Sequence, residues 1–383
     1  MKVLYDDQAF TMQHIGGVSK GICSILSQMP DDIEMSIGVD RCNNVYLKES
    51  GLISDLRPAE IDWIDTKAKY YFPGLGTLYR LISRYGLIRS AEYCNRRKSV
   101  QMLKEGGYDV FHPTFFNDYF LPYLQGRPFV LTIHDMMPEL FPNYFGKKDM
   151  QVLAKRKLAP LAAAIAVPSQ NTKEDVIRFL NVPDEKITVI HRGGPAIEDI
   201  VGESPCSYPY FLFVGTRGQY KNFWGLVNDF GSFHPSCPEV KLLCVGAPFT
   251  KGEVEELGRR GLSDSVIRVA ANDDQLKVYY AHALAFIFPS RYEGFGLPVL
   301  ESFAYGCPLL LNRQSCFPEV AGDAALYFES DGGESELPEL MKLVMAWTQD
   351  ERRDWVAKGR ERLSLFSWKC AAEKYAKLYR SLV

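Results

Sequence analysis

The strongest constraint on the fold is an alternation of short apolar runs with segments of helical pattern. Many of the runs are continuously apolar, which is typical of parallel strands that are covered on both faces. Strands are predicted at residues 2–5, 109–112, 129–134, 163–167, 186–191, 210–214, 240–245, 266–269, 284–288 and 308–311. The pattern therefore predicts an α/β fold that is built on parallel sheets.

Helix signals lie between several of these strands. Helices are predicted to begin after Ser169 and after Asp273, two residues of the kind that often precede a helix. A third predicted helix has Pro298 in its first turn and ends before Gly306. A last helix is predicted over residues 367–382.

The series of strands and helices occurs twice. Residues 193–209 separate the two series, and they are rich in Gly, Pro and Ser without a helical period. We expect two Rossmann-like, doubly wound domains that face a central cleft, with ligands at the carboxyl ends of the strands. The composition, 46% hydrophobic and 24% charged residues, is that of a globular protein with a sizeable core.

Several common motifs are absent from the sequence. It contains no P-loop, no dinucleotide-binding glycine motif, no H-E-x-x-H and no D-x-D, and no G-x-S-x-G segment supports a hydrolase nucleophile elbow. The nine cysteines are scattered and include no C-x-x-C, so neither a disulfide framework nor a zinc site is expected. The sequence shows no signal peptide and no run of about 18 apolar residues. We therefore expect a cytoplasmic location.

The most informative segment is FPSRYEGFGLPVLE, residues 288–301. A buried strand is expected to lead into a loop with Glu293, followed by a helix with Glu301 in its first turn. Glycines let the backbone approach a ligand, and free N–H groups at a helix start favour a diphosphate or sugar hydroxyls. The other candidate binding residues of this turn are Gly294, Phe295, Gly296 and Leu297. The arrangement suits a sugar nucleotide, with one carboxylate for the hexose and one for the ribose.

This segment closely resembles the E-x7-E signature of the family 4 retaining glycosyltransferases, with Glu293 and Glu301 as the two acids. VGTRGQYKN, residues 214–222, resembles the first strand and loop of the family's C-terminal domain. Further segments that resemble the family, in order along the chain, are residues 16–26, 129–142, 166–193, 312–328 and 366–379. The resemblance extends over nearly the whole chain, and it is closest to capsule and O-antigen mannosyltransferase-like members.

The resemblance implies the GT-B fold, with an acceptor-binding domain 1–195, a nucleotide-sugar-binding domain 196–365 and a C-terminal helix 366–383 that crosses back onto the first domain. It implies transfer of a hexose, with mannose favoured, from a nucleoside diphosphate sugar to a glycan or lipid-linked saccharide, with retention of anomeric configuration. It implies neither a metal nor another cofactor. GDP and UDP both remain open as the nucleotide of the donor.

The resemblance also assigns roles to single residues. Arg217 and Lys221 are implied to bind the donor diphosphate, because a leaving diphosphate without a metal needs fixed cations. The backbone N–H groups of Gly16 and Gly17 are implied to reach the same diphosphate. The first acid of the signature is implied to hold sugar hydroxyls and the second to bind the ribose.

A histidine and an aspartate follow the third predicted strand. His134 ends that strand, where the expected cleft lies, and the family has a histidine here near the transferred sugar. We therefore expect His134 to be a catalytic residue and Asp135 to bind substrate or to orient its loop. His112 also ends a predicted strand and fits a core role or a site role equally well, and His14 is a weaker candidate.

Two other interpretations of the chain remain open. One is another GT-B enzyme, such as a sugar-nucleotide epimerase or a phosphorylase. The other is a non-catalytic scaffold of the same fold, against which the intact glutamates, glycine loop and basic pair argue. Slow release of a nucleoside diphosphate without acceptor would distinguish an enzyme from a scaffold.

The charge of the chain is unevenly distributed. The formal net charge of -3 argues against a nucleic-acid binder, yet residues 67–104 contain nine basic residues and one acidic residue. Apolar residues recur there at helical spacing, namely Leu78, Leu81, Ile82, Tyr85 and Ile88. Their neighbours include Tyr70, Tyr71, Phe72, Tyr79, Arg80, Arg84 and Arg89. The segment is either a surface helix with an ordinary core stripe or a peripheral contact with an anionic membrane that carries a lipid-linked acceptor.

Overall fold

The structure is a computed structural model that describes residues 1–70, 73–146, 149–330 and 335–383. The chain divides into two compact units. The first unit contains residues 1–168, 172–192 and 368–383, and the second contains residues 169–171 and 193–367. Each unit has its own parallel sheet and its own hydrophobic core.

The sheet of the first unit consists of β1 (Lys2–Tyr5), β2 (Glu34–Ile37), β3 (Val110–His112), β4 (Val130–Thr132), β5 (Ala164–Val167) and β6 (Ile187–Val189). Parallel hydrogen bonds join β2, β1 and β3 in one ladder and β4, β5 and β6 in another. A parallel bridge between Phe111 and Phe129 connects the two ladders, and the Phe111 N–H donates to the Pro128 carbonyl oxygen at 3.0 Å. The strand order is therefore β2-β1-β3-β4-β5-β6.

The helices between these strands cover the sheet. They are α1 (Gln8–Met12), α2 (Gly17–Leu26), α3 (Val45–Glu49), α4 (Trp63–Lys69), α5 (Leu75–Arg84), α6 (Ala91–Glu105), α7 (Met137–Leu140), α8 (Pro142–Phe145), α9 (Met150–Leu161) and α10 (Gln170–Leu180). Side-chain oxygens of Asn44, Asp62, Ser90 and Asp149 accept hydrogen bonds from the first turns of α3, α4, α6 and α9. Such caps satisfy N–H groups that have no partner within the helix.

The sheet of the second unit consists of β7 (Tyr210–Val214), β8 (Lys241–Val245), β9 (Val266–Val269), β10 (Phe286–Phe288), β11 (Leu309–Asn312) and β12 (Leu326–Phe328). All its strands are parallel, and their order is β12-β11-β10-β7-β8-β9. This is the order of a doubly wound fold, in which the chain starts at the centre and builds outward twice.

The helices of the second unit are α11 (Phe223–Phe233), α12 (Lys251–Arg259), α13 (Asp273–His282), α14 (Leu297–Ala304), α15 (Phe317–Ala321), α16 (Leu337–Met345) and α17 (Gln349–Leu363). The last helix, α18 (Trp368–Arg380), belongs to the first unit. Within the described ranges, no helix is both long enough and apolar enough to cross a bilayer.

Both faces of each sheet are covered by apolar side chains. Along β7, Leu212 lies in one buried cluster and its neighbour Phe211 lies in another. Along β1, Val3 and Leu4 are divided in the same way between two clusters. Because successive side chains of a strand point to opposite faces, this confirms the doubly wound architecture that the continuous apolar runs predict.

Buried hydrogen bonds link α18 to the first sheet. The Tyr379 hydroxyl lies 2.5 Å from the Tyr5 hydroxyl and 2.6 Å from His112 Nδ1. His112 Nε2 lies 2.8 Å from Thr132 Oγ1, which in turn lies 3.1 Å from the Tyr375 hydroxyl. Burial lowers the pKa of His112 to about 3, so its ring is neutral. Both ring nitrogens of His112 are bonded to other residues of the first unit, which favours the core role.

The predicted strands are present, most of them with shorter ends. The run 129–134 forms a strand only as far as Thr132, and the run 284–288 forms one only from Phe286. The sequence pattern does not predict β2 and β12, which lie at the edges of their sheets. An edge strand has one neighbour and one open side, so β2 carries the exposed Glu34 and lacks the continuous apolar run of the central strands.

The Tyr379 hydroxyl is predicted to stabilise the first unit. In Tyr379→Phe, the buried Tyr5 hydroxyl and His112 Nδ1 lose their shared partner, so the free energy of unfolding should fall by about 1–3 kcal/mol. Urea unfolding measures the change. Tyr85→Phe is the matched control, because Tyr85 is 69% exposed. Equal unfolding midpoints for the two variants would contradict the prediction.

Candidate active site

The carboxyl ends of β7 and β10 meet at the centre of the second sheet. The chain builds outward from β7 through β8 to β9 on one side, and from β10 through β11 to β12 on the other. The loops that follow β7 and β10 therefore leave in opposite directions and open a crevice, which is where open α/β sheets bind ligands. Lys221 lies in the segment after β7, and Glu293 lies in the loop after β10.

Lys221 and Glu293 form an ion pair in this crevice. Lys221 Nζ lies 2.6 Å from Glu293 Oε1, and the two side chains are only 14% and 12% exposed. The Arg291 N–H donates to the Tyr220 carbonyl oxygen at 2.8 Å, so the two backbones are joined beside the pair. A partly desolvated cation next to a carboxylate can bind a phosphate oxygen and a sugar hydroxyl side by side.

Two serines hold the Glu293 loop in place. Ser315 Oγ donates to the Glu293 carbonyl oxygen at 2.8 Å and accepts from the Glu293 N–H at 3.2 Å. Ser169 Oγ donates to the Gly294 carbonyl oxygen at 2.7 Å. Neither serine is identified from the sequence as a site residue. The signal for Ser315 is its position just beyond the carboxyl end of β11, beside the strand that leads to Glu293.

Gly296 starts α14 in a left-handed backbone conformation. Its φ is +85°, and a Cβ at this position would lie 3.1 Å from Phe317 Cε1. Both the conformation and the close contact favour glycine. Phe295 is 3% exposed and anchors the turn in the core, while Leu297 opens the helix. In the first turn of α14, Pro298 has no N–H group and the Val299 N–H donates to the Gly296 carbonyl oxygen at 2.9 Å, so Leu297 offers the N–H group at the helix start.

Glu301 lies one turn into α14, and the negative charge of its carboxylate affects the pKa of two tyrosines. Burial raises the pKa of Tyr280 and of Tyr305, and the negative charge of Glu301 raises both further. These tyrosines therefore remain neutral beside the carboxylate. A carboxylate in such surroundings accepts hydrogen bonds from hydroxyl groups, as binding of a ribose requires.

Arg217 lies after β7 but is paired with a different acid. Its Nε donates to Glu253 Oε1 at 2.7 Å and its Nη2 donates to Glu253 Oε2 at 3.1 Å. Nη1 and Nη2 also donate to the carbonyl oxygens of Ala247 and Pro248 at 2.9 and 2.8 Å. The hydrogen bonds from Arg217 lower the pKa of Glu253 to about 2. Every guanidinium nitrogen has a partner, so a role for Arg217 at the diphosphate stays a prediction.

In the first unit, His134 is bonded to an arginine. His134 Nδ1 accepts a hydrogen bond from Arg192 Nη2 at 2.9 Å, and Arg192 Nη1 lies 3.4 Å from the Gly17 carbonyl oxygen. Burial, and then the Arg192 guanidinium, lowers the pKa of His134 well below its ordinary value. His134 is therefore neutral. Arg192, which the sequence does not single out, brings the predicted histidine and glycine loop together.

A buried ion pair supports the segment after His134. Lys155 Nζ lies 2.7 Å from Glu139 Oε2, and the side chains are 0% and 1% exposed. Lys155 Nζ also donates to the Asp135 carbonyl oxygen at 3.1 Å, while Asp135 Oδ1 accepts from the Met137 N–H at 3.0 Å. Asp135 thus orients its own loop, and its contact with substrate stays a prediction.

The predicted glycine loop leads into α2. Gly16 precedes the helix, Gly17 is its first residue and is exposed, and Ser19 Oγ donates to the Gly16 carbonyl oxygen at 3.1 Å. The side chain of Gln13 covers Gly16 so closely that a Cβ there would overlap with it. The exposed start of α2 leaves backbone N–H groups accessible, as anion binding requires.

His14, Asp62 and Asp65 form a group that could hold a metal ion, with ligand atoms within 4.8 Å of one another. Asp62 Oδ2 already lies 2.9 Å from His14 Nε2 and accepts from Asn43 Nδ2 at 2.9 Å. Asp62 Oδ1 accepts from the Asp65 N–H at the start of α4 at 2.8 Å. Both oxygens of Asp62 thus serve internal hydrogen bonds, and we assign no metal to this group.

Comparison with known proteins gives matches over both units. The family model described as glycosyltransferase family 4 matches residues 63–194, and the one described as glycosyl transferases group 1 matches residues 199–362. The O-antigen chain mannosyltransferase B of Escherichia coli is 25% identical over 346 residues, which cover 84% of this chain and 88% of that protein. The alpha-maltose-1-phosphate synthase of Mycolicibacterium smegmatis is 26% identical over 293 residues, which cover 68% of this chain and 74% of that protein.

A solved structure has the same fold. Anabaena HepE in complex with UDP-glucose matches with a TM-score of 0.69 and 18% identity, and the match covers 100% of both chains. Two parallel doubly wound sheets, one in each unit, define the GT-B fold, which HepE shares. The chain belongs to the family 4 glycosyltransferases, as the E-x7-E segment indicates, and it is a hexosyltransferase.

Gly296→Ala is predicted to destabilise the second unit. The new methyl group adds a close contact with Phe317 to the strain of a positive φ, so the loss of unfolding free energy should be about 1–3 kcal/mol. Gly261→Ala is the matched control, because Gly261 has a φ of +68° with nothing within 4 Å of the added Cβ. Urea unfolding compares the two variants. An equal loss in both would show that the Phe317 contact adds nothing.

Proposed function

We propose that the protein transfers a hexose, with mannose favoured, from a nucleoside diphosphate sugar to a glycan or lipid-linked saccharide in the synthesis of a surface polysaccharide. The observation that carries this proposal is the Lys221–Glu293 ion pair beside the glycine turn that starts α14. The name of the Escherichia coli relative, an O-antigen chain mannosyltransferase, supports mannose and a polysaccharide product. The HepE complex with UDP-glucose supports a nucleotide sugar as donor.

The nucleotide of the donor can be identified by binding alone. A ligand that binds only the folded protein raises its melting temperature. A thermal-shift panel of GDP- and UDP-linked hexoses therefore ranks the candidates without knowledge of the acceptor.

Lys221 is assigned to the leaving diphosphate. Negative charge grows on the diphosphate as its bond to the sugar breaks, and a fixed cation in a partly desolvated site stabilises that charge. Lys221 forms an ion pair with Glu293, and a diphosphate oxygen would be a second anion for the same cation. Arg217 is assigned a supporting part at the diphosphate, which it can take by exchanging its bond to Glu253 for a phosphate oxygen.

Because the protein itself supplies cations, we propose that transfer needs no divalent metal, and full activity in EDTA tests this.

Glu293 and the turn at residues 294–297 are assigned to the sugar, and Glu301 to the ribose. In the proposed reaction, the acceptor hydroxyl attacks the anomeric carbon from the face that the diphosphate leaves, and a diphosphate oxygen takes the hydroxyl proton. This front-side path retains the anomeric configuration without a covalent intermediate. A glycosyl adduct on Glu293 detected by mass spectrometry, or an inverted product detected by NMR, would contradict it.

The candidate residues of the first unit are assigned to substrate binding. His134 is neutral and has one ring nitrogen bonded to Arg192, which leaves the other for a substrate hydroxyl. Gly16 and Gly17 offer backbone N–H groups to an anionic part of a substrate. Asp135 offers a carboxylate beside His134.

Lys221→Ala is predicted to lower kcat by about 10²–10³-fold, as the loss of other groups that stabilise transition-state charge does. Steady-state kinetics with the donor identified by thermal shift measures the effect. Lys251→Ala is the matched control, because the Lys251 side chain is 93% exposed. A thermal melt verifies that the variant, in which Glu293 has lost Lys221, remains folded. An unchanged kcat in the folded Lys221→Ala variant would refute the assignment.

We also propose that α5 and the residues around it contact an anionic membrane. Leu78 and Leu81 are 50% and 54% exposed, and Tyr85 and Leu87 are 69% and 72% exposed. The interpretation as an ordinary core stripe is therefore wrong for Leu78, Leu81 and Tyr85. An exposed apolar face of this kind marks a surface that binds a partner or a membrane.

Other residues of the segment divide between the surface and the interior. Tyr79 is 4% exposed and its hydroxyl donates to Glu92 Oε2 at 2.6 Å, so it is not the interfacial aromatic that the sequence suggests. Tyr71 and Phe72 lie outside the described residues. The exposed basic residues among residues 67–104 are Lys67, Lys69, Arg80, Arg89, Arg97 and Lys104, and the side chain of Arg84 lies outside the described part of the chain. Basic groups beside exposed leucines complement an anionic bilayer, the surface on which a lipid-linked acceptor would lie.

The membrane contact is tested by flotation with phosphatidylcholine vesicles, with and without phosphatidylglycerol. Binding should require the anionic lipid, and Arg80→Ala/Arg89→Ala should weaken it by roughly tenfold or more, since each basic residue near the surface contributes about 1 kcal/mol. Arg259→Ala/Arg353→Ala is the control, because these arginines of the second unit are 74% and 75% exposed. Flotation without dependence on anionic lipid, or self-association that Leu78→Ser/Leu81→Ser abolishes, would overturn the proposal.

A further inference from the structure

Arg192 lies beside the first turns of α2 in the first unit. It follows β6, and its side chain lines a cavity of about 40 Å³ together with Val18, Gly21, Ile22 and His134. A Cβ at Gly21 would lie 3.6 Å from Arg192 Nη1. The guanidinium is therefore confined to a narrow space between α2 and His134.

Arg192 is an arginine without an acidic partner. Among residues 1–70, 73–146, 149–330 and 335–383, no carboxylate lies within ion-pair distance of its guanidinium. Its hydrogen bonds go to His134 Nδ1 at 2.9 Å and, at the longer distance of 3.4 Å, to the Gly17 carbonyl oxygen. The guanidinium of Arg192 thus donates to the imidazole of His134, and no ion pair with a described residue neutralises its positive charge.

The contact determines which nitrogen of His134 carries the proton. A guanidinium has donors and no acceptor, so His134 Nδ1 must be the acceptor in the bond with Arg192. An imidazole that accepts at Nδ1 is neutral and carries its proton on Nε2. No described residue forms a hydrogen bond with His134 Nε2. This nitrogen is therefore a free donor.

The other groups around His134 also favour a neutral imidazole ring. Besides Arg192 after β6, the charged or titratable groups that act on it are His112 on β3 and Lys155 on α9. Asp135 is its neighbour in sequence, but its Oδ1 is bonded to the Met137 N–H. Two cations and a buried position oppose a further proton on the ring.

We propose that Arg192 is a positioning residue that holds His134 as a neutral imidazole with its proton on Nε2. His134 then acts on a substrate only as a hydrogen-bond donor and does not take the proton of the acceptor hydroxyl. The use of that donor on a sugar rests on the proposed function, whereas the position of the proton is a property of the free enzyme. In the proposed reaction the hydroxyl proton accordingly passes to a diphosphate oxygen.

Nitrogen NMR of the free enzyme with ¹⁵N-labelled histidine rings tests the proton position. The chain has 6 histidines, and the signals of His134 are those that disappear in His134→Gln. We expect a protonated Nε2 and an unprotonated Nδ1 for His134, without titration between about pH 5.5 and 8. A proton on Nδ1, or titration near the ordinary pKa of about 6.5, would overturn the proposal.

Arg192→Met tests whether the arginine is the cause. Without the guanidinium, the pKa of His134 should rise toward its ordinary value, and its tautomer should become mixed. Arg156→Met is the matched control, because Arg156 is an exposed arginine of the same unit. Unchanged His134 signals in Arg192→Met would overturn the proposal. If that variant does not fold, the wild-type spectrum alone decides the proton position, and Arg192→Lys, which keeps the charge and a donor, should retain it.

Kinetics tests the positioning role. Arg192→Met and His134→Gln should each lower kcat by about tenfold or more, the effect of one hydrogen bond, and the double variant should be no slower than His134→Gln alone. Effects that multiply would assign Arg192 to the substrate directly and overturn the positioning role. A protein that shows the expected spectrum but no glycosyl transfer would refute the proposed function while leaving the assignment of the proton intact.

Discussion

The parallel pairing of β7 with β10 is the constraint on which the donor site depends. Lys221 and Glu293 are 72 positions apart in sequence, and they meet because the two strands that precede them are neighbours in the sheet. Their ion pair is largely shielded from water, so each partner would be strongly unfavourable without the other or without a ligand in its place. Hydrogen bonds from Ser315 to both backbone groups of Glu293 hold the loop that carries this carboxylate.

The first unit combines a polar interior with its candidate site. Tyr5, His112, Thr132 and two tyrosines of α18 form a continuous chain of buried hydrogen bonds, so the last helix of the protein completes the core of the first unit. Buried polar groups of this kind are favourable only when every member is bonded. The cavity lined by His134 and Arg192 is also lined by the residues of this hydrogen-bonded chain. The state of the candidate catalytic histidine is therefore set by residues that come from distant parts of the chain.

Much of the fold could be predicted from the sequence, because continuous apolar runs of strand length have few alternatives to parallel strands with two covered faces. β1, β7 and β9 have the predicted bounds. β2 was not recognisable because it lacks the continuous apolar run of the central strands, and the short β12 was missed as well, although β6 and β9, which are also edge strands, were predicted. The apolar stripe of α5 shows a different limit. Its periodicity identifies a helix, but the same pattern is compatible with a buried face and with an exposed one, and only the packing shows that Leu78 and Leu81 are exposed.

The candidate site was predictable where its chemistry is local. Glu293, Gly296 and Glu301 occur in one short segment, whose glycines and carboxylates indicate a ligand-binding turn at a helix start. Ser315, Arg192 and Lys155 could not be identified in this way, since each acts on a residue that is distant in sequence. A serine, an arginine or a lysine is common on any surface, and nothing in its neighbours along the chain reveals a remote partner.

The sequence by itself determined the two parallel sheets and the residues 293–301 around the start of α14, because these depend on apolar periodicity and on short-range spacing, and its resemblance to a known family indicated the class of enzyme. Only the tertiary structure decided which charges are paired. In it, Lys221 forms an ion pair with Glu293, Arg217 forms one with Glu253, and Arg192 donates a hydrogen bond to His134. The physical reason is that ion pairs and hydrogen bonds act over a few ångströms, and strand order and helix packing determine which residues come within that distance.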